Sequence, residues 1–158
     1  MTPTALIAED EAPQRRELCR LLTSSWPELQ IVAECADGTS AIAALHAHRP
    51  TIAFLDIRMA GASGLDVAQQ ACKIAHVVFT TAYEQHAIEA FEIGALDYLL
   101  KPVTAMRLDT TLQRLRAQFA IAEKADVRNA GVRQWRDPGH FQVRIPHQLP
   151  AEAFDQFP

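Results

Sequence analysis

The sequence of 158 residues predicts an α/β protein with a doubly wound parallel sheet. Two observations predict it: short apolar runs alternate with stretches of helical periodicity, and several runs stop at a carboxylate, a hydroxyl or a lysine. The run from Thr51 to Leu55 is the clearest. It has no charged residue, which is typical of a strand buried on both faces of a parallel sheet. Asp56 follows directly, at the edge where such sheets bind ligands.

The segments before that run alternate between strand and helix. Leu18, Leu21 and Leu22 share one face of the first predicted helix, and acidic residues precede its first turn. Pro27 separates this helix from the second strand, and Pro50 closes the second helix. The predicted segments are a strand at 4–8, a helix at 13–24, a strand at 29–34 and a helix at 40–48.

The segments after Asp56 continue the alternation. A loop at 57–64 comes first, and Gly94 ends the fourth helix. The predicted segments are a helix at 65–72, a strand at 75–80, a helix at 83–93 and a strand at 96–100. Apolar residues at steps of three and four then predict a long amphipathic helix through Leu108, Leu112, Leu115, Phe119 and Ala122.

This alternation predicts a flavodoxin-like fold, with a five-stranded parallel sheet in the order 2-1-3-4-5 and helices on both faces. Residues 1–123 are expected to form this domain. Residues 124–158 are interpreted as a linker or tail, because four of the nine prolines lie there and helical periodicity is lost. Within the tail, Phe141, Val143 and Ile145 alternate with polar residues and predict one short strand.

Composition and charge narrow the function classes. The chain is 49% hydrophobic and 22% charged, which predicts a packed core. A net charge of -4 argues against nucleic-acid binding by this chain itself. The sequence shows no signal peptide and no apolar run of membrane-spanning length, so a cytoplasmic location is expected. Cys19, Cys35 and Cys72 lack metal-ligand spacing and are expected to be reduced thiols.

Three carboxylates should meet at the carboxyl edge of the sheet. Strands one and three are neighbours in the predicted order, so Glu9, Asp10 and Asp56 converge. Each pair about 5 Å apart would repel by roughly 3 kcal/mol at an effective dielectric constant near 20. A divalent cation would offset this repulsion, and oxygen ligands favour magnesium. The alternative is that Glu9 and Asp10 only stabilise the start of the following helix.

A hydroxyl and an ammonium group are expected at the same edge. The fourth strand runs into Thr80 and Thr81, and the fifth runs into Lys101. Beside a carboxylate nucleophile and a metal ion, these groups would form a receptor for a phosphoryl group. Each of these residues also has an ordinary structural explanation when it is considered alone: a threonine in a strand is common, and so is a lysine before a proline.

Four motifs resemble the receiver domain of bacterial two-component response regulators, over about residues 4–123. They are Leu6-Ile-Ala-Glu-Asp-Glu11, Phe54-Leu-Asp-Ile-Arg-Met59 with Gly64-Leu65, Phe79-Thr-Thr-Ala-Tyr83 and Gly94-Ala-Leu-Asp-Tyr-Leu-Leu-Lys-Pro102. The segments Thr81-Ala-Tyr83 and Ala95-Leu-Asp-Tyr-Leu-Leu-Lys-Pro102 look like the LytTR-type subfamily in particular. The resemblance implies a signalling switch that a sensor histidine kinase phosphorylates.

The resemblance also implies a role for each site residue. Asp56 would accept the phosphoryl group, Thr81 would be the switch hydroxyl, and Lys101 would bind the phosphate through a position set by a cis bond to Pro102. Tyr98 would be the aromatic rotor. Magnesium would be held by Asp56, Asp10, Glu9 through water, and the backbone carbonyl of Arg58.

The sequence departs from the family pattern at three positions. Glu9 stands where the family more often has aspartate, Ala60 replaces a usual proline, and Ser63 replaces a common aspartate. None of these changes removes a chemical role. Arg58 and Tyr83 lie two residues after Asp56 and Thr81, where two bulky side chains should impede the water that hydrolyses the phosphoryl group.

Phosphorylation is expected to promote a homodimer through the fourth helix, fifth strand and fifth helix. One edge would present acidic groups on one element and basic groups on the next, which suits a two-fold interface. The expected dimer-face residues are Glu89, Glu92, Asp97, Arg107 and Arg114. Thr111 and Gln118 are expected on the same outward stripe of the last helix as Arg107 and Arg114.

Two other function classes fit the sequence less well than this switch. An aspartate-nucleophile phosphatase of the haloacid-dehalogenase type has an Asp-x-Asp motif on its first strand, whereas Arg58 occupies the second position here and the acceptor follows strand three. A binding module without phosphate turnover would not need Asp10, Asp56, Thr81 and Lys101 together. The chain is too short for a LytTR-type DNA-binding domain, so it is either a stand-alone receiver or part of a longer transcription factor.

Overall fold

The computed structural model describes residues 2–129, in which five strands alternate with five α-helices. A short 3₁₀ turn, Glu84–His86, precedes the fourth helix. The elements are β1 (Thr4–Ala8), α1 (Ala12–Ser25), β2 (Gln30–Cys35), α2 (Gly38–His48), β3 (Ile52–Leu55), α3 (Gly64–Ala71), β4 (His76–Thr81), α4 (Ala87–Ile93), β5 (Asp97–Leu100) and α5 (Ala105–Asn129). No helix within this range combines the length and apolar character that a membrane span requires.

The strands form one parallel sheet in the order β2-β1-β3-β4-β5, which confirms the predicted fold and strand order. Ala8 at the end of β1 pairs with Leu55 at the end of β3. Thr81 at the end of β4 pairs with Leu100 at the end of β5. The residues that follow these strand ends therefore leave the sheet at one edge.

The central strand has the burial that its composition predicts. Every residue of β3 is fully buried, because helices cover both faces of the sheet. Burial of a side chain such as Phe54 or Leu55 contributes about 1.5–3 kcal/mol relative to an exposed position. This core fixes the strand that ends at Asp56.

The start of α3 lies against the backbone of Asp56. A Cβ atom on Gly64 would come within 1.9 Å of the Asp56 carbonyl oxygen, so only glycine permits this approach. Ser63 caps the helix: its hydroxyl accepts the Asp66 N–H, and the Asp66 carboxylate accepts the Ser63 N–H. The serine that departs from the family pattern therefore has a structural role here.

Most predicted boundaries lie within two residues of the observed ones, but two differ by more. The fourth helix was predicted from Tyr83, but α4 begins at Ala87. The reason is that Tyr83 has an extended backbone and its carbonyl accepts the Tyr98 hydroxyl. The fifth helix continues to Asn129, past the predicted domain boundary at residue 123.

The chain divides between Thr111 and Leu112 into two units, and α5 crosses this division. The first unit contains the sheet and the other helices. In the second unit, the part that the structure describes is the helix at 112–129, in which Leu112 and Leu115 are buried. The predicted strand at 141–145 lies outside the described residues.

Candidate functional site

The predicted carboxylate cluster is present at the carboxyl edge of the sheet. Oxygen atoms of Glu9, Asp10 and Asp56 all lie within 4.8 Å of one another. Glu9 is 2% exposed and Asp56 6% exposed, whereas Asp10 faces solvent. The cluster forms because β1 and β3 pair directly and end at the same level.

Asp56 is held from two sides. Its Oδ1 accepts the N–H of Ile57 at 2.7 Å, and its Oδ2 accepts the Lys101 Nζ at 3.1 Å. Its backbone N–H donates to the Ala8 carbonyl at 2.9 Å, which continues the β1–β3 pairing by one residue. The carboxylate therefore has a fixed orientation at the strand end.

Lys101 also forms an ion pair with Glu9. The second Glu9 oxygen accepts the Glu11 N–H at 3.1 Å, and the Glu9 carbonyl accepts Arg15 Nη1 at 2.6 Å. Sequence reasoning missed Arg15, because nothing in its sequence position distinguishes it from the other arginines of the chain, although it is half-buried in the structure. The Lys101–Pro102 peptide bond is cis, the geometry that the family resemblance implied.

Burial raises the pKa of Glu9 to about 7, and the nearby Asp56 charge acts in the same direction, against the opposing effect of Lys101. Burial alone would lower the pKa of Lys101. Its hydrogen bond to Glu9 and the charge of Asp56 raise that pKa on balance. The three carboxyl groups of the cluster therefore have too little positive charge near them, although Lys101 supplies one cation.

The donor set fits a magnesium ion. Three carboxylates converge on one point, and the exposed side of Asp10 leaves room for the water ligands that magnesium retains. A cavity of about 550 Å³ opens beside Asp10, and its walls include Arg58 and His86. A donor set made of carboxylate oxygens favours magnesium over zinc.

The two predicted switch residues are connected through Tyr83. Thr81 is fully buried, and its Oγ1 accepts the Tyr83 N–H at 3.3 Å. Tyr98 is 8% exposed, its ring centroid lies 6.1 Å from that of Phe79, and its hydroxyl donates to the Tyr83 carbonyl. Burial raises the pKa of Tyr98, and the backbone of His86 opposes this rise. Tyr98 is thus turned inward in this structure.

Arg58 stacks on Tyr83. The guanidinium carbon of Arg58 lies 3.9 Å from the centroid of the Tyr83 ring. Sequence reasoning placed both residues near the acceptor but did not predict that they touch. They are distant along the chain, and only the folding of β3 beside β4 brings their loops together.

One part of the predicted dimer face is wrong. Asp97 is 1% exposed and Thr111 is fully buried, so neither is a surface group. Asp97 accepts both terminal nitrogens of Arg107, at 2.8 and 3.1 Å, and the Thr111 hydroxyl at 2.6 Å. This pairing within the chain turns both side chains inward. Glu89 and Glu92 are exposed in the first unit, and Arg114 is exposed in the second.

Comparisons with known proteins identify the family of the chain. A family model for the response regulator receiver domain matches residues 5–113. An uncharacterized response regulatory protein of Vibrio cholerae is 44% identical over 121 residues, which are 75% of this chain and 46% of that protein. The transcriptional regulatory protein BtsR of Salmonella typhi is 44% identical over 115 residues, which are 72% of this chain and 48% of BtsR. The chain spans about half the length of these relatives.

Solved structures show the same fold. The REC domain of AraT, a response regulator from Geobacillus stearothermophilus, matches with a TM-score of 0.72 and 28% identity, covering 78% of this chain and 99% of that one. The response regulatory domain of mrkE from Klebsiella pneumoniae matches with a TM-score of 0.68 and 33% identity, covering 72% and 95%. The chain therefore belongs to the response regulator receiver family, and its identity with BtsR supports the LytTR-type subfamily.

Proposed function

We propose that this chain is a phosphorylation switch in which Asp56 accepts one phosphoryl group from a sensor histidine kinase. The observation that carries the proposal is the placement of Asp56, which lies among two other carboxylates and within 3.1 Å of the Lys101 ammonium. A carboxylate in this position can act as a nucleophile. The Lys101 ammonium beside it can stabilise the negative charge of a phosphoryl group. In the cell this chemistry belongs to the cytoplasm, where kinases have access to ATP.

In this proposal an oxygen of Asp56 attacks the phosphorus, and the bond from phosphorus to the donor nitrogen breaks. Lys101 and the Thr81 hydroxyl bind the phosphoryl oxygens. A magnesium ion held by Asp10, Asp56, the Arg58 carbonyl and, through water, Glu9 would supply positive charge to those oxygens. The Lys101 ammonium donates to Glu9 and Asp56, and its three N–H donors would allow it to bind a phosphoryl oxygen as well.

The switch would act through the Thr81 hydroxyl. A movement of this hydroxyl toward the phosphoryl group would change its hydrogen bond with the Tyr83 N–H, which it now accepts. Tyr83 and Tyr98 share a hydrogen bond, so the change would reach β5 and its neighbours. The side chains of Arg58 and Tyr83, stacked beside the site, support slow loss of the phosphoryl group because they occupy space that attacking water needs.

We infer that the output is a homodimer formed through α4, β5 and the first turns of α5. Three large apolar side chains are exposed on these elements, namely Ile88 at 72%, Leu100 at 44% and Met106 at 82%. Apolar contact supplies most of the affinity of such interfaces, while charges such as Glu89 and Glu92 set the register. Arg107 takes less part than its sequence position implied, because it is paired with Asp97.

We further propose that the switch controls transcription through a domain that these 158 residues do not include. Two facts support this: BtsR is a transcriptional regulatory protein, and this chain corresponds to about half of it. The net charge of -4 gives the chain itself no general attraction for DNA phosphates.

The test is phosphorylation by acetyl phosphate, followed by intact-mass measurement. Wild type should gain one phosphoryl group in the presence of magnesium and lose this ability when EDTA removes the metal. Asp56→Asn should gain none, and Asp109→Asn, an exposed aspartate on α5, should label like wild type. Equal labelling of wild type and Asp56→Asn would reject Asp56 as the acceptor.

A further inference from the structure

Tyr83 joins the two switch side chains through its backbone. Its N–H donates to Thr81 Oγ1, and its carbonyl accepts the Tyr98 hydroxyl. Its backbone is extended, with φ -115° and ψ 116°, and the 3₁₀ turn Glu84–His86 begins directly after it. The position of the Tyr98 hydroxyl therefore depends on where the backbone of Tyr83 is held.

Arg58 holds the side chain of Tyr83 from the neighbouring loop. Its guanidinium carbon lies 3.9 Å from the ring centroid, well inside the range of a cation–π contact. Arg58 is two residues from Asp56, in the loop whose first N–H binds the Asp56 carboxylate. A chain of direct contacts thus runs from the loop after the acceptor, through the Tyr83 ring and carbonyl, to Tyr98.

We propose that the Arg58–Tyr83 stack is a positioning contact that keeps Tyr98 in its inward position. The inference deepens the proposed function, on which its biological meaning rests. Tyr98 is 8% exposed and its hydroxyl is bound to the Tyr83 carbonyl. The inward position is therefore supported by contacts within the chain itself, and such contacts can bias an equilibrium between inward and outward Tyr98.

The size of the effect follows from the strength of the contact. An exposed cation–π pair changes an equilibrium by about two- to fivefold, and Arg58 is exposed. Loss of the stack should therefore raise the ratio of outward to inward Tyr98, by at most about two- to fivefold. If the stack were only a surface contact between two loops, Tyr98 would not respond to its removal.

The chain allows a direct measurement because it contains two tyrosines, Tyr83 and Tyr98. Tyr83→Phe keeps a ring for the stack and leaves Tyr98 as the sole tyrosine. Tyrosine labelled with ¹³C in the ring then gives a signal from Tyr98 alone. Its solvent exposure is read from line broadening by a neutral, soluble gadolinium chelate, with no phosphodonor or metal added.

Arg58→Met in this Tyr83→Phe background removes the charge and keeps a long side chain. We expect the line broadening of the Tyr98 signal to increase. The increase should be at most the factor by which the outward population rises, which is about two- to fivefold. Arg16→Met, on the exposed side of α1, is the matched control and should leave the signal unchanged. In the wild-type background, Tyr83→Leu should expose Tyr98 as Arg58→Met does, and the double variant should add nothing further.

An unchanged Tyr98 signal in the Arg58→Met variant would overturn the inference, as would an equal increase with Arg16→Met. Because Arg58 is exposed, its replacement leaves the core intact, so a null result reports on the contact itself. The measurement needs no phosphorylation. Failure of wild type to label on Asp56 would overturn the proposed function alone, whereas normal labelling with an unresponsive Tyr98 would overturn this inference alone.

Discussion

Glu9 shows how one buried carboxylate can make folding depend on pH. Its pKa is about 7 in the folded chain because it is buried, against an ordinary value of 4.5. Between these two values the folded state binds more protons than the unfolded state. The free energy of unfolding should therefore fall as the pH rises from about 4.5 to about 7, by an amount on the order of 1–3 kcal/mol.

Glu9→Gln should remove this fall, because glutamine cannot ionise. The measurement is urea unfolding in metal-free buffer across that pH range, for wild type and the variant. Glu28→Gln, at an exposed position, is the control and should keep the wild-type slope. Parallel profiles for wild type and Glu9→Gln would show that another group causes the pH dependence.

At the scale of elements, Asp97 and Arg107 connect β5 to α5. Burial alone would raise the pKa of Asp97, but its bonds to Arg107, Thr111 and the Tyr98 N–H lower it below the ordinary value of 3.8. Because the folded pKa is the lower one, the ionised pair stabilises the fold above about pH 4. This contribution is lost as the pH falls through the folded pKa.

Asp97→Asn should destabilise the fold by about 1–3 kcal/mol at neutral pH, since it leaves Arg107 and Thr111 without a charged acceptor. Arg107→Met should cost at least as much, because it leaves the Asp97 charge, which is 1% exposed, without this guanidinium, whereas the Arg107 side chain is 42% exposed and can be solvated in Asp97→Asn. Denaturant unfolding measures both, with exposed Asp109→Asn as the control. A stability of Asp97→Asn equal to wild type would mean that the pair only orients α5.

At the scale of the whole molecule, the expected response is association. Beryllofluoride with magnesium should convert wild type to a dimer in sedimentation velocity. A shift of the dimer-competent state from about 1% to 99% needs roughly 5.5 kcal/mol, shared between phosphate-site contacts and association. Met106→Glu should prevent the dimer, because it places a charge in the apolar part of the proposed face.

Two further variants locate the interface. Ile121→Glu changes an apolar residue that is also exposed, at 50%, but lies outside the proposed face, so it should dimerise like wild type. Arg114→Glu reverses a charge that the sequence predicts on the outward stripe of α5, and so tests whether this charge belongs to the interface. A dimer that forms without the mimic and survives Met106→Glu would place the interface elsewhere.

The sequence by itself determined the fold and the residue types of the site. Alternating apolar runs and helical periods are local signals, and the order of strands follows from a small set of allowed connections. The convergence of Glu9, Asp10 and Asp56 followed from that order alone. Resemblance added their roles and the cis bond at Lys101, which residue patterns do not reveal.

Only the tertiary structure decided which side chains bind each other. Lys101 pairs with Glu9 as well as Asp56, and Asp97 turns inward to Arg107 instead of outward to a partner. Arg58 meets Tyr83 across two loops. The physical reason is that hydrophobic periodicity reports which face of an element is buried, averaged over several residues. The partner of a single polar side chain depends on distances of a few ångströms between segments far apart in the chain, and those distances are set when the elements pack.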